Sequence, residues 1–137
     1  MRIELVESDI AACHAVMAEL RPHLTLEAFV AQVERQRAES NYRLVALYDP
    51  EIVAVAGIRI AEWLPTGRCL EIEDLVTHDG ERSKGHGGAL FDWIVDYARR
   101  ERCNELKLVS HVTRFAAHRF YLNRGMSILA HFFSMEL

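Results

Sequence analysis

Ile3 and Leu5 alternate with charged neighbours at the start of the chain, which predicts a short strand. Ser8 then stands where a helix cap is expected, and Ile10, Cys13, Val16, Met17 and Leu20 fall on one face of the helix it would open. Pro22 ends that helix. Thr25 caps a second one, with Leu26, Phe29, Val30 and Val33 inward and Glu34, Arg35, Arg37 and Glu39 outward.

The period then changes from helical to alternating. Arg43 to Tyr48 and Ile52 to Ile60 are apolar and β-branched, and Asp49-Pro50-Glu51 between them reads as a hairpin turn. Pro65-Thr66-Gly67 turns the chain into a strand over Arg68 to Thr77. A loop of glycine and charge, His78 to Gly85, leads to a helix over His86 to Arg102, with Leu90, Trp93, Ile94 and Tyr97 or Ala98 at helical spacing. A strand over Leu106 to Val109, a helix over Arg114 to Leu122 stopped by Gly125, and a terminal strand reaching Met135 complete the pattern. Strands and helices mixed in this order predict an α+β fold.

Composition narrows the class. The chain has 137 residues with no repeat or Pro/Gly/Ser linker, so one domain over 1–137 is expected. Its 50% hydrophobic and 26% charged residues are the balance of an ordinary globular protein. A formal charge of -4 supplies no general field for nucleic acid or an anionic membrane, so neither is an expected partner. Cys13, Cys69 and Cys103 are far apart and lack zinc spacing, which predicts reduced thiols. With no signal core or spanning stretch in view, a cytoplasmic location is expected.

Candidate chemistry concentrates in Arg82-Ser83-Lys84-Gly85-His86-Gly87-Gly88, between a strand and a helix. Glycines at a helix start let the backbone approach a ligand, and the unpaired N–H groups there favour an anion. Arg82 and Lys84 add two charges beside them. No Gly-Lys-Ser/Thr follows for a Walker loop, and the glycine frame does not fit the dinucleotide fingerprint.

Leu75-Val76 followed by Arg82-x-x-Gly85-x-Gly87 resembles the acetyl-CoA-binding motif of the GNAT superfamily of N-acetyltransferases. Ala117-His118-Arg119-Phe120-Tyr121-Leu122-Asn123-Arg124-Gly125-Met126 resembles its second signature, with Met126 where phenylalanine is usual and Arg114 where many members carry asparagine. The resemblance covers nearly the whole chain and implies a mixed central sheet flanked by helices on both faces. It further implies that Arg82, Lys84, Gly85, His86, Gly87 and Gly88 hold the CoA pyrophosphate. Leu75, Val76 and Thr77 would pair with the pantetheine arm through their main chain, and a bulge in that strand would aim an N–H at the thioester carbonyl.

Attack on a thioester needs a neutral amine, and an alkylammonium of pKa ~10.4 costs ~4.6 kcal/mol to deprotonate at pH 7, so a general base is useful. Leu70-Glu71-Ile72-Glu73-Asp74-Leu75-Val76 carries three carboxylates in a strand that burial on both faces would make apolar. Without a bulge, Glu71, Glu73 and Leu75 share one face and Ile72, Asp74 and Val76 the other. Glu71 matches the position of the glutamate base in several GNAT members and is the first candidate, with Glu73 second; either could instead line an open cleft or bind a cationic substrate. Tyr121 matches the family's proton donor to the departing thiolate, against a packing role among Phe115, Phe120 and Leu122.

His78, His111, His118 and His131 lack metal-ligand spacing, so no metal is expected. The tail from Arg114 through His131-x-Phe133 is similar to aminoalkylphosphonate N-acetyltransferases, which implies Arg114, His118 or Arg119 as receptors for an anionic group on the acceptor. The expected activity is acetyl transfer to a small-molecule amine. A CoA-binding module without transferase activity is the alternative from another class, against which Tyr121 and Glu71 argue; protein acetylation is a further one. Apolar strands leave a homodimer open.

Overall fold

The computed structural model describes residues 1–137. Four antiparallel strands follow one another across a sheet: β1 (Arg2–Leu5), β2 (Tyr42–Tyr48), β3 (Ile52–Trp63) and β4 (Gly67–Thr77). The fifth, β5 (Glu105–Leu108), neighbours β4 beyond a helical crossover, α3 (His86–Arg100). A crossover through a helix returns the chain in its original direction, and the sheet is therefore mixed.

Before β2 the chain forms α1 (His14–Leu20) and α2 (Leu26–Ser40). Thr25 caps α2 as the sequence predicts, its hydroxyl accepting from Ala28 N–H at 3.1 Å. Ser8 does not cap α1. Asp9 takes a left-handed conformation there and a short 3-10 turn, Ile10–Cys13, leads into the helix instead.

The sheet buries both faces. On one, Cys13, Val16, Met17, Phe29 and Val33 pack against Tyr42, Leu44, Ala46 and Val55. On the other, α3 packs against β2, β3 and β4 with Leu90, Phe91, Ile94 and Ala98 buried. Burial on two faces explains why Leu44 to Leu47 and Val53 to Ala56 read as unbroken apolar runs.

The chain falls into two compact units, Met1–Lys107 and Leu108–Leu137. The second contains α4 (Phe115–Asn123), closed by Gly125 at φ +91°. The terminal strand expected to reach Met135 is not formed: no strand follows β5. A β-rich composition reports fit to a pleated surface and not a backbone preference of its own, and residues 126–137 have no ladder partner.

Candidate active site

The loop after β4 leads into α3 through Gly85, the N-cap, at φ +83°, where a side chain would be strained. No side chain caps this helix, and its first turn carries no acidic residue. The N–H groups of His86, Gly87 and Gly88 precede the first intrahelical bond, Ala89 N–H to Gly85 C=O at 3.0 Å. A Cβ at Gly87 would lie 3.3 Å from Thr77 Oγ1, so the end of β4 and the start of α3 meet at a glycine.

His86 is 5% exposed and its Nε2 bonds Asp49 Oδ2 at 2.9 Å, while Nδ1 is buried with no hydrogen-bond partner. Glu81 Oε2 lies 3.9 Å from that Nδ1, and the open helix N–H groups alone fit a bound anion such as a pyrophosphate. The cations of the loop are held by carboxylates, Arg82 by Asp79 at 3.0 Å and Lys84 by Glu81 at 2.9 Å. These pairs are exposed and hold little energy, so exchange for phosphate oxygens costs little. Glu19 of α1 reaches the same loop, accepting from His78 Nδ1 at 2.5 Å and from Asp79 N–H at 2.8 Å.

The carboxylates of β4 are arranged by a bulge. Gly57 pairs with Asp74 and the next β3 residue, Ile58, with Ile72, which leaves Glu73 without a partner in the ladder. Residues directly opposite share a face. Glu71, opposite Arg59, and Asp74, opposite Gly57, therefore lie on the face of Tyr42, which is itself opposite Arg59. The alternation expected for an unbulged strand is corrected: Asp74 shares the face of Glu71.

Each carboxylate has a different surrounding. Glu73 is held by Arg59, Nε to Oε2 at 2.7 Å and Nη2 to Oε1 at 3.2 Å; desolvation raises its pKa and Arg59 opposes the shift. Asp74 receives Tyr42 Oη–H at 2.6 Å and Arg21 Nε–H at 2.9 Å, and Arg21 also donates to the Glu73 carbonyl at 3.2 Å. Burial, then the Asp74 charge, drives the Tyr42 hydroxyl far above its ordinary pKa, so it remains a donor. Glu71 carries no ion pair, the guanidinium opposite it, Arg59, being bound to Glu73.

Sequence reasoning missed Asp74, Arg21 and Tyr42. The signal was the third carboxylate in the strand. Its importance depended on a bulge and on partners 53 and 32 residues away, which periodicity does not reveal.

In the second unit, Tyr121 is half-buried on α4, its ring edge-on to Phe120 at 5.5 Å between centroids. Burial raises the pKa of its hydroxyl and the Arg114 charge opposes that. Arg114 is the N-cap residue of α4 without a side-chain cap bond. His118 Nε2 lies 2.9 Å from the His111 carbonyl, and Arg119 is exposed. All four residues named for this segment are thus on α4 or at its start.

Residues 7–126 match the Acetyltransferase (GNAT) family. The chain is 34% identical over 129 residues to an uncharacterized N-acetyltransferase, YhdJ, of Bacillus subtilis (strain 168), covering 93% of this chain and 91% of that protein. Among solved structures it is similar to a ribosomal-protein-alanine N-acetyltransferase from Brucella melitensis biovar Abortus 2308, with TM-score 0.85 and 16% identity over all of both chains. It is also similar to an acetyltransferase of Trypanosoma brucei, with TM-score 0.79 and 22% identity over 99% of each. At those identities the two structures show the fold, while the family match and the Bacillus relative extend to the acetyltransferase class. The glycine loop, the open start of α3 and these matches agree, and the chain belongs to the GNAT family of acetyltransferases.

Proposed function

We propose that the protein transfers an acetyl group from acetyl-CoA to the primary amine of a small molecule, by direct attack with both substrates bound. The observation that carries this reading is the uncapped N-terminus of α3, at the end of a strand bearing a Glu71 that makes no ion pair. The N–H groups of His86, Gly87 and Gly88, with Arg82 and Lys84, would hold the pyrophosphate, and the main chain of Leu75 to Thr77 the pantetheine. Acetyl-CoA supplies the acetyl group as a thioester: the amine nitrogen bonds to the carbonyl carbon, the C–S bond breaks, and the sulfur leaves as a thiol.

Glu71 takes the proton that the ammonium must lose, directly or through water. Glu73 is tied to Arg59, so its role in this reading is to position that side of the strand. Tyr121 supplies a proton to the departing sulfur, and its burial, by keeping the phenol protonated, suits a donor. Arg114, His118 and Arg119 are candidates for the far end of the acceptor.

The family match runs across both units, which supports reading residues 1–137 as one domain. No helix is long and apolar enough to cross a membrane, and Cys13, Cys69 and Cys103 are all free, which suits the reducing cytoplasm. The exposed Ile128, Leu129, Phe132 and Phe133 offer an apolar surface for a homodimer.

Two variants test the roles. Glu71→Gln lowers turnover at neutral pH and recovers in part at high pH, where more of the amine is neutral; an unchanged pH profile removes the base role. Tyr121→Phe keeps the ring, so CoA affinity holds while turnover falls by roughly ten to ten-thousand-fold; normal turnover rejects the proton-donor role.

A further inference from the structure

The β4 bulge leaves Glu73 with no residue opposite it on β3, and the ladder is interrupted there. Two arginines from different elements take hold of it instead. Arg59 of β3 binds the Glu73 carboxylate, Nε to Oε2 at 2.7 Å, and Arg21, at the end of α1, donates from Nη2 to the Glu73 carbonyl at 3.2 Å. The same guanidinium reaches the next residue: Arg21 Nε–H bonds Asp74 Oδ1 at 2.9 Å, and Tyr42 Oη–H of β2 bonds Asp74 Oδ2 at 2.6 Å. The end of α1, β2 and β3 thus converge on two consecutive residues of β4.

The Arg21 side chain is 41% exposed and lines a cavity of about 270 Å³ with Tyr42 and Asp74, so its removal vacates no closed space in the core. Its backbone is fixed independently. Arg21 N–H closes α1 on the Met17 carbonyl at 2.8 Å, and Pro22 follows. What the side chain adds is a planar fork whose two donors lie in a set geometry, one on a carbonyl and one on a carboxylate. Such a fork fixes the Glu73 carbonyl relative to the Asp74 side chain, and with them the course of the main chain into Leu75.

We infer that Arg21 is a positioning residue for acetyl transfer: it grips the Glu73 carbonyl and the Asp74 carboxylate together, with Tyr42 on the far oxygen, and keeps the bulge in one shape during the reaction. The inference rests on the transferase reading, in which a main-chain N–H of the bulged strand faces the thioester carbonyl and Glu71, two residues before Glu73, takes the proton of the amine. Both roles depend on the direction of this stretch of backbone. Donors that stabilise a developing oxyanion act through an orientation fixed in advance, and a displacement of about 1 Å costs a large factor in rate. Arg21 touches no reacting atom in this account and acts through the strand. Binding of the CoA pyrophosphate is separate, because the open start of α3 lies beyond the end of β4 at Thr77.

Arg21→Lys is the informative variant, since an ammonium still offers Asp74 a charge but cannot bond carbonyl and carboxylate through one rigid plane. Melting temperature, CoA affinity by calorimetry and steady-state rates with acetyl-CoA and small primary amines are measured on one preparation. Expected are a Tm within a few degrees of the unaltered protein, CoA affinity within about twofold, and kcat lower by about ten- to a hundredfold with KM for acetyl-CoA little changed. Tyr42→Phe, which keeps the ring and loosens Asp74 from the other side, lowers kcat in the same way and serves if the first variant does not fold. Unchanged kcat, or a fall in kcat matched by weaker CoA binding or by unfolding in both variants, overturns the inference. Relaxation dispersion at the Glu73, Asp74 and Leu75 amides of the CoA-bound protein reads the bulge without turnover: Arg21→Lys introduces microsecond-to-millisecond exchange there and not in α3. If the unaltered protein acetylates no amine, that local exchange upholds the grip on the bulge and rejects only the transferase reading; its absence rejects the grip.

Discussion

Tyr42 and Gly57 are matched in size: a Cβ added at Gly57 would lie 1.8 Å from the Tyr42 hydroxyl oxygen and 2.6 Å from Asp74 Oδ2. The absent side chain is what lets the buried phenol reach Asp74 beside the bulge. Gly57→Ala must therefore displace Tyr42 or break its bond to Asp74. The expected loss is about 2–4 kcal/mol, from overpacking and an unsatisfied polar group together. For 137 residues that is about 7–14 °C in Tm, measured by thermal denaturation. Removing the hydroxyl as well, in Tyr42→Phe with Gly57→Ala, does not relieve it, because the ring Cζ would still lie 2.4 Å from the new Cβ; an unchanged Tm in the single variant would contradict the packing.

Gly87 is the corresponding test at the other end of β4. Its Cβ would meet Thr77 Oγ1 at 3.3 Å, close enough that the neighbour must give way, and a branched side chain there would also stand over the open N–H groups of α3. Gly87→Val lowers CoA affinity at least tenfold by calorimetry, because a ligand can no longer approach the backbone. In the unaltered protein CoA raises Tm more than AMP or NAD does. Retained affinity in the variant would move the pyrophosphate elsewhere.

Glu19 connects α1 to the same loop and makes its stability depend on pH. Desolvation alone would raise its carboxyl, but hydrogen bonds from His78 and Asp79 N–H, with the charges of His78 and Arg82, hold it below the ordinary value. A carboxylate with a lowered folded pKa contributes stability above its unfolded pKa of about 4.3 and loses it as pH falls through the folded value. Glu19→Gln should thus lower Tm at pH near 7, and the gap to the unaltered protein should close as pH falls below about 4.3. A gap independent of pH would mean that the contact acts by packing alone.

Much of this is legible in the sequence, for identifiable reasons. The β2–β3 hairpin, the Thr25 cap and the loop at Gly85 are set by neighbours in the chain, so local turn and cap chemistry finds them. Ser8 misleads because Asp9, next to it, takes the left-handed turn first. The terminal strand misleads because a strand exists only through its ladder. At the site, Glu71 stands out as a carboxylate in an apolar strand, but the bulge at Glu73 decides which carboxylates share its face. The partners of Asp74 come from α1's end and from β2, far apart in sequence.

Burial also sorts the cysteines. Cys13 is fully buried and its thiol is pushed up to about 12, first by desolvation and then by the Asp9 charge. Alkylation at mildly alkaline pH should leave Cys13 unmodified until the protein is unfolded, as read by peptide mass spectrometry. Modification of Cys13 in the native protein would show that α1 opens readily.

Acetyl transfer itself is measured most directly by incubating the protein with acetyl-CoA and a panel of small primary amines, following free thiol and identifying the product by mass spectrometry. The account predicts thiol and N-acetylated amine in equal amounts, at a rate that rises with pH in the Glu71→Gln variant. Thiol release without an acetylated amine, or CoA binding with no transfer to any small amine, would contradict it.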